Sequence, residues 1–141
     1  MIYAVIDTNV LLSALITHNP QSATSRVVRI LLEGGFTPLY DSEVIEEYID
    51  VLHRSKFKIL PGVSDALISY ILEHGVEASR AAFPESMPDE DDRMFYEIAL
   101  GMENSFLVTG NLKHYPTTPI VVTPAQMVEI LNRQSLSRQL T

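Results

Sequence analysis

The chain contains no cysteine. That absence removes disulfide scaffolds and thiolate zinc sites, so a metal would need oxygen ligands or histidine. Basic residues are also scarce, with 10 Lys plus Arg against 18 Asp plus Glu and a formal net charge of −8. Nonspecific nucleic-acid affinity comes from clustered cations that release counterions, so this balance argues against a broad phosphate-binding surface. It does not exclude nucleic acid, because acids gathered in one cleft hold divalent cations that invert the local electrostatics and attract phosphate. No apolar run reaches the roughly 18 residues of a membrane span. The start Met1-Ile2-Tyr3-Ala4 lacks the basic region of a signal peptide, and a soluble cytoplasmic protein with no membrane partner is expected. Neither common glycine-rich phosphate loop occurs. His18, His53, His74 and His114 show no metal-ligand spacing and read as surface or loop residues.

What is present is a chain of 141 residues, 46% hydrophobic, enough for one compact domain. We place that domain at residues 1–133 and a loose polar tail at 134–141. Ile2 to Ile6 is a short β-rich run feeding a helix with Val10, Leu11, Leu12 and Leu15 on its stripe. Val27 to Leu32 predicts a second helix stopped by Gly34-Gly35, and Phe36 to Tyr40 a second strand. Asp41 and Ser42 are cap types before a third helix, Glu43 to about His53, and Ser64 before a fourth, Asp65 to about His74. Val76 to Phe83 is ambiguous. Asp89-Glu90-Asp91-Asp92 opens a fifth helix running to about Met102, Ser105 to Val108 and Ile120 to Val122 are strands, and Thr123-Pro124 starts the last helix. Apolar strands alternating with helices predict an α/β fold with a mainly parallel sheet covered on both faces. Ligands in such folds sit outside the carboxyl ends of the strands.

Asp7 leaves the first strand at that rim, followed by Thr8 and Asn9. Taken alone it is either a rim carboxylate or the cap of the next helix. Phosphotransfer of the haloacid dehalogenase kind is disfavoured, because the second Asp it needs is replaced by Asn9. In the third helix Ile45, Tyr48, Ile49 and Leu52 define the buried stripe; Glu43, Glu46 and Asp50 face solvent, and Glu47 sits at the stripe's edge beside Val44 and Val51. In the fifth helix Asp92 lines up with Phe95, Ala99 and Met102, while Arg93 and Glu97 point away. Asp91 is a good N-cap and Asp89 a peripheral ligand, although an acidic run is also a common helix start. Thr109-Gly110-Asn111 reaches the same rim with neutral oxygens and a bare backbone. Three inward-biased acids beside such a turn suit Mg²⁺ or Mn²⁺. Arg54, Lys56 and Lys58 are either solvated loop charges or a guide for a nucleic-acid strand.

Four segments, Val5-Ile6-Asp7-Thr8-Asn9-Val10, Ser42 to Arg54, Asp89 to Ala99, and Leu107-Val108-Thr109-Gly110-Asn111, resemble in order the signature blocks of PIN-domain nucleases. The resemblance spans roughly residues 1 to 130 and looks closest to the VapC-related toxin components of toxin–antitoxin systems. It implies a three-layer α/β/α sandwich and cleavage of single-stranded RNA with Mg²⁺ or Mn²⁺. It also implies a cognate antitoxin as partner and, often, a homodimer. The family's three acids match Asp7, Glu47 and Asp92, and its polar residue in the last block matches Thr109. The chain departs from the pattern at Asn111, where the family usually has Asp; whether one ion or two are held turns on that position. The rivals are a noncatalytic domain of the same fold that binds a protein or RNA, and a DNA or flap-type nuclease.

Overall fold

A computed structural model describes the backbone of residues 1–140 and side chains through residue 137. Its centre is β1 (Tyr3–Ile6), where Ala4, Val5 and Ile6 are buried on both faces. Only a strand covered on both sides can be so uniformly apolar. The other strands among the described residues are β2 (Thr37–Tyr40), β3 (Val76–Glu77), β4 (Ser105–Val108) and β5 (Val121–Val122), all parallel, in the order β3-β2-β1-β4-β5. Six α-helices accompany them: α1 (Thr8–Ile16), α2 (Ala23–Leu32), α3 (Ser42–Leu52), α4 (Pro61–His74), α5 (Arg93–Leu100) and α6 (Pro124–Leu140). The expected α/β/α sandwich is what forms. Helix α1 packs on α2 and α2 on α6; α3 packs on α4, and α5 lies against β1, β2 and β4.

From β1 the chain steps outward through β2 to β3, then returns to the other side of β1 for β4 and β5. The connections diverge between β1 and β4, and that divergence opens a crevice beyond their carboxyl ends. Asp7 and Thr109 are the first residues past those two ends.

Local chemistry sets most boundaries as expected. Ser22 caps α2 by accepting from Ser25 N, and Gly34, at φ 80°, ends it. The Asp41 carboxylate accepts from Val44 N at 3.0 Å and starts α3. Thr123 and Gln126 exchange side-chain to backbone hydrogen bonds of 2.8 and 3.1 Å, a capping box at the start of α6.

Three expectations differ. Helix α4 begins at Pro61, and Ser64, buried inside it, donates its hydroxyl to Leu52 O instead of capping. Proline in the first turn loses no hydrogen bond, so the helix starts at Pro61. The acidic run is not the first turn of α5. Glu90–Asp92 forms a 3-10 turn capped by Asp89, which accepts from Asp91 N, and Asp91 caps nothing. Helix α6 continues as helix to Leu140, beyond Arg133, where a loose segment was expected.

The segment between β3 and this turn is tied down by two arginines. Arg93 donates to Phe83 O, Glu85 O and the Glu90 carboxylate. Arg80 binds Asp41 at 2.7 Å, and Glu97 accepts from Phe83 N at 2.8 Å. Arg93 and Glu97 do face away from the core stripe, but they face a loop that they anchor. That anchoring delivers Asp89 and Asp92 to the crevice.

Candidate metal centre

Asp7 is 5% exposed and occupies the N-cap position of α1 without making a capping hydrogen bond. Its Oδ2 instead accepts from Thr109 Oγ1 at 2.9 Å and from Tyr115 OH at 2.8 Å. Two hydroxyl donors on a carboxylate are charge-assisted bonds and offset part of its desolvation. No hydrogen bond falls on Oδ1 among the described residues, so the second oxygen is left to the crevice. Thr109 also accepts from Asn111 N at 3.0 Å, and Asn9 Oδ1 accepts from Gly110 N at 3.4 Å, which ties the two rim turns together. A Cβ at Gly110 would meet only Asn9 Oδ1, at 3.6 Å, so nothing within the chain demands glycine there.

Glu47 comes in from α3, whose actual phase differs from the expected stripe. Val44, Tyr48, Val51 and Leu52 are buried, whereas Ile49 is 47% exposed and Ile45 only partly covered. The rotation centres the stripe on Val44 and Tyr48, so Glu47 stands at its edge beside the buried Val44 and Val51, as expected, and is partly covered. Glu43, Glu46 and Asp50 remain exposed, as expected. Tyr48 donates its hydroxyl to Ile6 O, pinning α3 to the end of β1 one residue before Asp7. Burial first, then the neighbouring charge of Asp50, raises the Glu47 carboxyl above its ordinary range; Asp7 and Asp91 add to this and Arg54 opposes it.

Asp92, half-buried at the start of α5, has its Oδ2 3.0 Å from His114 Nδ1, and Asp89 Oδ2 lies 3.8 Å from the same nitrogen. Burial and then the Asp7 charge push the Asp92 carboxyl up to about 6, against the lowering effect of His114. Burial and the charges of Asp7 and Asp92 raise the Tyr115 phenol as well, so it stays a donor.

Asp7, Glu47, Asp89, Asp91 and Asp92 therefore share one electrostatic neighbourhood, and Asp89, Asp92 and His114 offer ligand atoms within 4.8 Å of one another. Glu47 and Asp92, both raised by burial and by the Asp7 charge, are poised to accept a divalent cation, and the donor set, carboxylates with one imidazole, suits such an ion. Thr8, next to Asp7, is buried with an unpartnered hydroxyl, a further oxygen lacking a protein partner. Of the basic cluster, Arg54 pairs with Asp50 at 2.8 Å and acts on Glu47; Lys56 lies over the Phe57 ring and Lys58 is exposed.

Sequence reasoning missed a site role for His114 and Tyr115; His114 does lie on a loop, half-exposed, as its surface-or-loop reading has it. Both belong to a 3-10 turn, Leu112–His114, and the residue closing it, which fold back over the crevice. The signal available was their position directly after Thr109-Gly110-Asn111.

No curated protein and no solved structure gives a match to this chain. A family model described as PIN domain matches residues 3–113, a span that starts at β1 and includes every acid of the crevice as well as Thr109 and Asn111. Domains of that family are typically nucleases. With its parallel sheet and the acids gathered at the sheet's switch point, the chain belongs to the PIN-domain family.

Proposed function

We propose that this protein is a metal-dependent endoribonuclease acting on single-stranded RNA, with Asp7, Glu47 and Asp92 as the catalytic and metal-holding acids. The observation that carries the reading is that Asp7, just past β1, acts by its charge on both Glu47 of α3 and Asp92 at the start of α5, and that Asp92 stands with Asp89 and His114 at ligand spacing. Mg²⁺ or Mn²⁺ bound by these acids would activate a water for attack on phosphorus and stabilise the leaving ribose oxygen. Asp7 offers Oδ1 to the crevice while Thr109 and Tyr115 hold Oδ2. Asn9, accepting from Gly110 N, keeps the β4 turn against the β1 turn, the Asn111 N–H shapes that turn by donating to Thr109, and Asp89 and Asp91 add negative potential at the mouth. In the reaction the water oxygen bonds to phosphorus as the bond to the leaving oxygen breaks. Arg54, the basic side chain electrostatically linked to Glu47, would steer a phosphate toward the acids, with Lys56 and Lys58 behind it.

The family resemblance extends the reading to a toxin of a toxin–antitoxin pair, working in the cytoplasm as a homodimer held in check by a cognate antitoxin. Copurification of the product of a neighbouring gene, with loss of cleavage, tests that part separately.

The direct test is cleavage of a mixed single-stranded RNA pool with Mn²⁺, Mg²⁺ or EDTA, with Asp7→Asn and Asp92→Asn run in parallel. Metal-dependent cutting lost in both variants is the expected result; cutting that survives in both would overturn it. Asn111, in place of the usual Asp, favours a second reading as a noncatalytic RNA- or protein-binding module. Mn²⁺ binding without turnover on any nucleic acid would select that reading, and preference for branched DNA would select a flap-type nuclease.

A further inference from the structure

We propose that His114 is a nitrogen ligand of the metal centre, standing in for the carboxylate absent at Asn111, and that it biases the centre toward Mn²⁺ over Mg²⁺. The inference rests on the reading of Asp7, Glu47 and Asp92 as metal-holding acids.

The geometry is that of a coordination edge. Two ligands bound at about 2.1 to 2.2 Å and 90° apart on one ion stand ~3.0 Å from each other, and at 120° about 3.7 Å. His114 Nδ1 lies 3.0 Å from Asp92 Oδ2 and 3.8 Å from Asp89 Oδ2. A single cation can therefore touch all three with little movement. Without the ion, the same nitrogen and the Asp92 oxygen satisfy each other by a hydrogen bond.

The imidazole is also held in place. His114 closes the 3-10 turn Leu112–His114, its backbone N–H donating to Asn111 O at 3.0 Å. The next residue, Tyr115, is 3% exposed and anchored on Asp7 at 2.8 Å. The tyrosine that orients the first acid thus fixes the position of the histidine beside the third.

Asn111 is exposed, and only its backbone is engaged with the site, its N–H donating to Thr109 Oγ1 and its carbonyl accepting from His114 N. A turn that has lost a carboxylate at its start regains a donor three residues later, and the donor has changed from oxygen to nitrogen. Imidazole is a good ligand for the later first-row ions and a poor one for Mg²⁺, which prefers oxygen and water.

The experiment is Mn²⁺ titration of the metal-free full chain, followed by calorimetry and by electron spin-echo spectroscopy of the bound ion. Wild type, His114→Ala and Asp7→Asn are compared, with Mg²⁺ titrated in parallel. Wild type should show nitrogen coupling to Mn²⁺. His114→Ala should abolish that coupling and weaken Mn²⁺ binding by at least about tenfold, the lower end of what even outer-shell substitutions cost. Mg²⁺ affinity should change little. Because His114 is half-exposed, the variant is expected to keep its fold, which its circular dichroism verifies.

Mn²⁺ bound without nitrogen coupling, or coupling and affinity unchanged in His114→Ala, overturns the inference. If Asp7→Asn abolishes binding in that case, the acid centre stands and only the histidine ligand falls. If wild type binds no Mn²⁺, or both variants bind as wild type does, the centre itself falls and takes this inference with it.

Discussion

Asp7 shows how much a single side chain can depend on its partners. A carboxylate this buried is tolerable because two hydroxyls donate to one of its oxygens, at 2.9 and 2.8 Å. Hydrogen bonds to charged groups contribute about 1.5 to 3 kcal/mol each, so Tyr115→Phe should lower the stability of the metal-free protein by roughly that amount, measured by urea unfolding. The same substitution should lower the turnover of RNA while leaving its KM nearly unchanged, because the phenol orients a metal ligand and touches no substrate. A loss confined to KM would contradict this role. The local placement of Asp7 past a strand end, Glu47 beside a helix's buried stripe and Asp92 at a helix start was legible in the sequence, because short-range periodicity sets each. Tyr115 was not, because its partner lies 108 residues away.

At the scale of elements, the apolar pattern decided type more firmly than phase. Helix α3 carries the adjacent apolar pairs Val44-Ile45, Tyr48-Ile49 and Val51-Leu52, so two stripes satisfy helical periodicity equally well. Packing on α4 and the Tyr48 bond to Ile6 O selected the one that buries Val44 and Val51, with Glu47 at its edge. Strand β2 shows a similar dependence on neighbours. Pro38 lies in an interior strand, yet β3 pairs only with Leu39 and Tyr40, so the missing N–H of Pro38 costs no ladder bond. Gly75 fills the adjoining space, and a Cβ there would stand 2.4 Å from Ile71 O and 2.7 Å from Pro38 O. Gly75→Ala should therefore cost about 1 to 3 kcal/mol by overpacking against backbone, read as a lower urea midpoint at unchanged m-value. Its specific activity at 25 °C should match wild type, since Gly75 contributes no group to the crevice. A fully stable Gly75→Ala protein would show that β3 shifts to make room.

For the whole molecule the net charge of −8 limits how RNA can be gripped. If recognition is local and centred on the crevice, few phosphates are neutralised by Lys or Arg. With a log–log slope near −0.7 per phosphate on single strands, the salt dependence of RNA binding should be shallower than about −2, corresponding to fewer than about three such contacts. A steep slope in a binding titration from low to moderate salt would instead require a basic track along the surface.

By itself the sequence determined the alternation of strands and helices, the burial of the central strands, and the caps at Asp41 and Thr123, because each is set by a local period or a side chain within a few residues of its partner. The phase of α3, the 3-10 turn that carries Asp89 to Asp92, and the return of His114 and Tyr115 over Asp7 were decided only when the sheet assembled. Those features depend on groups far apart in the chain, whose contacts exist only after β1 and β4 lie side by side and bring their carboxyl ends to one crevice.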